Sequence, residues 1–186
     1  MQPNRDVIDL NSPTLVQTKT HAGVVWAGLD LLVNICHGNS FNRGWWHDPI
    51  TGLSLLPGEL TWTGNVNAAP IEGDIVKAWF PYVIGTKIAL IHSEVSEGLE
   101  AYRTDATDDK IPFPGITAEM GDAVIRICDL MGALRWYQER FGPYPGFGEI
   151  TNPYDLGAAI LIKLPINVGR ADHDISNRAK PGGKKF

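Results

Sequence analysis

The chain has 186 residues, enough for one domain with a real core, and with 44% hydrophobic and 20% charged residues it is ordinary globular rather than disordered. A formal net charge of -5 excludes a general electrostatic pull toward nucleic acid or an anionic membrane, so any phosphate binding must be local. The two cysteines, Cys36 and Cys128, form no CxxC and point neither to a thiolate zinc site nor to a disulfide framework.

The segment Met1 to Asn11 is polar and lacks the apolar stretch of a signal peptide, and Asp30, Lys87 and Lys163 interrupt the best apolar runs. A cytoplasmic protein that contacts no membrane is expected. Ser12-Pro13 makes a good N-cap and first-turn pair for a helix running to about Cys36, before Gly38. From Trp46 to Pro81 the chain is rich in Gly, Pro, Asn and Thr, long for a connection in a compact domain. Within this insertion, at about 47–81, Leu60 to Val66 alternates well enough for a short strand or hairpin arm. A second helix is expected over about Tyr82 to Arg103. A third follows Pro114-Gly115, with Thr117 as N-cap, and ends near Phe141; Gly142 to Glu149 then reads as a loop. The fourth helix is expected from about Asn152-Pro153 toward Arg170, followed by a basic tail over 171–186. With no internal repeat and no second core, these elements read as one helical domain.

The chemistry is concentrated in IHSEVSEGLEAYR (91–103) and AEMGDAVIRICDL (118–130). Glu94 and Glu97 are three residues apart, as are Glu119 and Asp122, and residues at i and i+3 share a helix face. Ile84, Ile88, Ile91, Val95, Leu99 and Tyr102 form an apolar stripe on the second helix, and Met120, Val124, Ile127 and Met131 form one on the third. The acids, with Asp129, lie along the edges of these stripes. If both stripes face one core, four carboxylates converge at its margin. Such a cluster repels itself unless a cation compensates, and hard oxygen donors select Mg²⁺ or Mn²⁺.

ExxE followed by ExxD on consecutive helices resembles the metal-binding signature of the all-α NTP pyrophosphohydrolases, and of the MazG-like proteins in particular. The similarity extends over KIALIHSEVSEGLEAYR (87–103), DDKIPFPGITAEMGDAVIRICDL (108–130) and NVGRADHDISNRAKPGGKKF (167–186), with CHGNSFNRGWW (36–46) matching the segment after the first helix. The relatives it resembles are the compact kind common in bacteriophages and bacteria. The resemblance implies an all-α, four-helix-bundle-like fold and hydrolysis of a nucleoside triphosphate to the monophosphate and pyrophosphate. It further implies Glu94, Glu97, Glu119 and Asp122 as Mg²⁺ ligands, with Mn²⁺ as a substitute. Lys163, Asn167 and Arg170 match positions that face the phosphates. Many such proteins carry a Glu directly before the first motif Glu, where this chain has Ser93, so a metal-bound carboxylate, Glu97 or Glu94, would have to orient the water. Pro165 falls inside the fourth helix, where it removes a hydrogen bond.

Trp45 and Trp46 are candidates for stacking on a base, and Asn39 for reading a base edge, whereas Trp26 sits among apolar neighbours and reads as core. His92 reads as a packing or surface residue. Asp172-His173-Asp174 is ligand-rich, but three consecutive residues cannot all face one ion on a regular element. A di-iron carboxylate bundle would need Glu-x-x-His, which the chain lacks. A dUTPase-like or phosphoribosyl-ATP pyrophosphohydrolase-like enzyme and a non-catalytic helical binding module are the remaining alternatives. Family proteins of this size assemble through apolar helix faces, so a homodimer or tetramer is expected.

Overall fold

The computed structural model describes residues 19–48, 50, 54–56, 73–142, 152–168 and 170. They are mostly helical, in α1 (Lys19–Asn42), α2 (Gly73–Arg103), α3 (Gly115–Phe141) and α4 (Leu156–Val168), with no strand among the described residues. Two isolated antiparallel bridges join His47 to Ser54 and Thr107 to Pro114. No helix among the described residues is long and apolar enough to cross a membrane. The alternating segment Leu60 to Val66, most of the Gly142 to Glu149 loop and Asp172-His173-Asp174 lie outside the described residues.

Four boundaries differ from the sequence expectation. Helix α1 passes through Gly38 to Asn42. A glycine inside a helix costs about 1 kcal/mol relative to alanine, and packing of Phe41 against the core offsets it. Helix α2 begins at Gly73, not near Tyr82, so Pro81 lies within it and the insertion ends earlier than expected. Phe80 compensates for the lost hydrogen bond: it is buried and stacks on Tyr137 of α3, with ring centroids 4.2 Å apart. At the start of α3, Pro114 occupies the N-cap position without a side-chain cap, and Thr117 lies inside the first turn, its N–H donating to the Pro114 carbonyl at 2.8 Å. Asn152 forms a turn ahead of α4, accepting from Tyr154 N–H on its side chain and from Asp155 N–H on its carbonyl.

Two compact units are distinguished. One contains Met1–Asp30 and Leu156–Phe186; the other is Leu31–Asp155. In the first, Gly157 of α4 lies against Trp26 of α1, whose ring stays 42% exposed rather than entering a core. In the second, α2 packs along α3. Its core is Trp46, Leu56, Phe80 and Ala133, flanked by Phe41, Val83, Ile84, Leu134, Trp136 and Tyr137.

The apolar stripes turn out differently from the expectation that both face one core. Ile84 joins the core, but Ile88, Val95, Leu99 and Tyr102 are exposed along α2, as are Met120 and Val124 on α3. The buried face of α3 is made instead of small residues, Ala118, Ala123, Cys128, Gly132 and Ala133, together with Leu130 and Asp129. Small side chains let helix axes approach closely, so they, rather than the bulky stripe, take the inside position.

Candidate functional site

The two acidic motifs lie on the pair of helices that pack together. Gly98 sets their separation: a β-carbon there would sit 2.6 Å from Met120 Cε and 3.3 Å from Glu119 Cβ. The missing side chain lets Glu119 of α3 settle against the turn of α2 that carries the first motif. One carboxylate oxygen each from Glu94, Glu119 and Asp122 then falls within 4.8 Å of the others. Glu94 is only 5% exposed, Glu119 is half-buried and Asp122 is exposed, so the group opens from a sealed end toward solvent.

Three carboxylates so placed are a concentrated negative charge. Burial, a hydrogen bond with Glu94, and the charges of Glu97, Glu94 and Asp122 push the Glu119 carboxyl above its ordinary value of 4.5. The nearby positive charge is Arg126, whose Nε donates to Glu94 Oε1 in an ion pair. Donors that are all oxygen, partly sealed and short of positive charge are what a hard divalent cation takes up. The three residues therefore fit a metal ion. Glu97 does not share their convergence: it is exposed and accepts a hydrogen bond from Ser93 Oγ at 2.8 Å, although its charge is felt by Glu119.

A cavity adjoins the group, lined by Ser40, Trp45, Lys87, Asp122, Arg126 and Asp129 among others. Asp129, which also lines the cavity, organises a second charged centre. This carboxylate is 5% exposed, and its Oδ1 accepts from Trp46 Nε1 at 2.7 Å and pairs with His37 Nδ1 at 3.0 Å. Lys87 Nζ lies 3.7 Å from Asp129 Oδ2, donates to the Trp45 carbonyl at 3.0 Å, and sits 4.1 Å from the Trp46 ring centroid. Burial lowers the Lys87 ammonium below its ordinary value of 10.5, the neighbouring Asp129 charge opposing the shift. Gly132 makes room for His37, whose Cβ and Cγ occupy the place a side chain would take. The centre pins the Trp45-Trp46 corner by a backbone carbonyl and an indole N–H.

The remaining expected residues are placed as follows. Trp45 is 59% exposed and lines the cavity, while Trp46 is fully buried in the core and has no ring face open to a ligand. Asn39 is exposed in the last turns of α1, and it is the neighbouring Ser40 that lines the cavity. Lys163 and Asn167 on α4 and Arg170 just beyond it belong to the other compact unit, with Lys163 and Arg170 exposed. His92 is exposed. Sequence reasoning did not single out Lys87, Arg126 or His37 as site residues. A signal existed for two of them: Lys87 is seven residues before Glu94, and Arg126 four after Asp122, spacings that share a helix face.

Compared with known proteins, the chain matches no family model, and no curated protein or solved structure shows significant similarity to it.

Proposed function

We propose that the protein is a Mg²⁺-dependent nucleoside triphosphate pyrophosphohydrolase of the MazG-like kind, with an all-α, four-helix-bundle-like fold. It would release nucleoside monophosphate and pyrophosphate. The observation that carries this reading is the convergence of Glu94, Glu119 and Asp122, drawn from both acidic motifs, beside a cavity that also presents Lys87, Arg126 and Trp45. Mn²⁺ is the expected substitute ion.

Glu94, Glu119 and Asp122 would hold the ion, which when bound supplies charge neutralisation and a bound water of lowered pKa. The chain's own residues do the positioning. Arg126 and Lys87 bring positive charge to the cavity wall, where phosphoryl oxygens carry negative charge. Trp45 offers an exposed indole face for a base, held in place because Lys87 grips its carbonyl. Glu97, with Ser93 on its Oε1, is the acid left over to orient a water. Lys163, Asn167 and Arg170 remain the phosphate-binding residues that the family resemblance implies.

The exposed stripe of Ile88, Val95, Leu99 and Tyr102 on α2, with Leu99 and Tyr102 60% and 66% exposed, favours self-association into a homodimer or tetramer. Light scattering across a concentration series tests it: a monomer at all concentrations removes the oligomer. The activity is tested by pyrophosphate release from a panel of canonical and modified nucleoside triphosphates, with Mg²⁺ and with EDTA. Metal-dependent release that Glu119→Gln abolishes supports the reading. No turnover by folded protein that still binds Mg²⁺ favours a non-catalytic binding module.

A further inference from the structure

We propose that Arg126 exchanges partners: it neutralises Glu94 in the metal-free protein, and donates to a substrate phosphoryl oxygen once a cation takes over Glu94. This rests on the nucleotide-hydrolase reading above and adds to it the residue that couples cation entry to phosphate binding.

Two cations line the same cavity, and they are held in opposite ways. Lys87 is fixed by the Trp45 carbonyl at 3.0 Å and by the buried Asp129 carboxylate at 3.7 Å, neither of which belongs to the three converging carboxylates. Arg126 is paired to Glu94, one of the three carboxylates that converge. Glu94 is the most buried of the three, and a buried carboxylate without a counter-charge is costly, so the metal-free protein requires Arg126 there. A divalent ion at the same oxygens competes with the guanidinium for Glu94 and is repelled by its charge. The Arg126 side chain is 33% exposed and reaches the cavity. It stands one turn along α3 from Asp122, on the same face. A guanidinium released from Glu94 at that position faces whatever fills the cavity, and its planar fork matches a phosphoryl group.

The consequence is a difference in sign. Arg126 opposes binding of a bare cation and favours a cation that arrives with a polyphosphate, whose net charge is negative. Removing the guanidinium therefore moves the two affinities in opposite directions, which loss of a merely structural ion pair does not.

The test uses the full chain as wild type, Arg126→Gln and Arg126→Lys, with folding checked by circular dichroism. Affinity for Mn²⁺ alone is read by electron paramagnetic resonance titration, and affinity for the Mn²⁺–tripolyphosphate complex by calorimetry. Arg126→Gln is expected to bind Mn²⁺ alone more tightly and the complex about tenfold more weakly, the scale of one lost charge-assisted hydrogen bond. Arg126→Lys keeps the charge and loses the fork, so its affinity for the complex should fall between the two. Both affinities moving together in Arg126→Gln, or an unchanged affinity for the complex, overturns the proposal. Should Arg126→Gln not fold, Arg126→Lys decides, and undiminished affinity for the complex then overturns it. If the wild type binds Mn²⁺ in neither form, the metal-dependent reading fails and the exchange with it. If it binds both yet hydrolyses no nucleotide, only the catalytic part of that reading fails, and the exchange stands or falls on the two affinities.

Discussion

Helix α3 carries two carboxylate centres barely two turns apart, and they solve the same electrostatic problem in opposite ways. Asp129 is buried and surrounded by fixed protein donors: the Trp46 indole, His37 and Lys87. Its charge is satisfied within the chain, and its role is to hold the Trp45-Trp46 corner. Glu119 and Asp122, gathered with Glu94, have Arg126 as the counter-charge on Glu94, and burial, a hydrogen bond with Glu94 and the neighbouring acids' charges together raise the Glu119 carboxyl. A centre completed by its own protein is architecture, whereas one short of positive charge has room for a cation. Acidity alone does not mark a site; the deficit in compensation does.

The comparison can be broken most forcefully at Asp129. Asp129→Ala leaves the buried Trp46 N–H without its acceptor and Lys87 without its counter-charge, and should destabilise the fold by about 3–5 kcal/mol, as for a broken buried pair. Chemical denaturation measures this, and a loss below 1 kcal/mol would put Asp129 on a par with a surface ion pair. At the other centre, Glu119→Gln should cost activity more than about 100-fold, beyond the 10–100-fold typical of residues that only support a ligand. Its metal-free stability at neutral pH should not fall, because one repelling charge is removed; a loss as large as that of Asp129→Ala would erase the distinction.

Smaller in size, but specific in sign, is the pH dependence. A carboxyl whose folded value is raised stabilises the fold fully below its ordinary value, here 4.5, and that contribution is lost as pH rises through the raised folded value. The Glu119 contribution to metal-free stability should therefore grow as pH falls from neutral toward 4.5, and Mg²⁺ should flatten it by holding the carboxylate ionised. Difference denaturation of wild type and Glu119→Gln across that range reads this contribution. The smallest effect probes the sealed side of the comparison. Cys128, beside Asp129, is buried and its thiol is pushed up to about 11, chiefly by desolvation, while burial also raises Cys36. Neither should react with a thiol reagent at pH 8 in native protein, whereas both should in denaturant; rapid native labelling would show that the Asp129 side is open.

Much of the helical framework is legible in the chain, because helix signals are local. The spacing of Glu94 to Glu97 and of Glu119 to Asp122 puts each pair on one helix face without reference to anything distant. The ends of helices were less legible where a local signal met a long-range contact. Gly38 and Pro81 both argue for a break, yet Phe41 and Phe80 pack into the core and carry the helices through. Trp45 and Trp46 are equivalent as sequence, and only the Asp129 acceptor and the core around Leu56 assign one to the inside and the other to the cavity.

By itself, then, the sequence determined the helical character, the pairing of acids along α2 and α3, and the absence of any charge excess that would draw nucleic acid. Periodicity and composition are properties of neighbouring residues, so they need no fold to be read. Only the tertiary structure decided which helix faces turn inward, and it chose the small residues of α3 over the bulky stripe, since close approach requires them. It decided, too, that Arg126 would face Glu94 and Lys87 would face Asp129. Those pairings join residues 32 and 42 positions apart, and a contact at such separation exists only once the helices have packed.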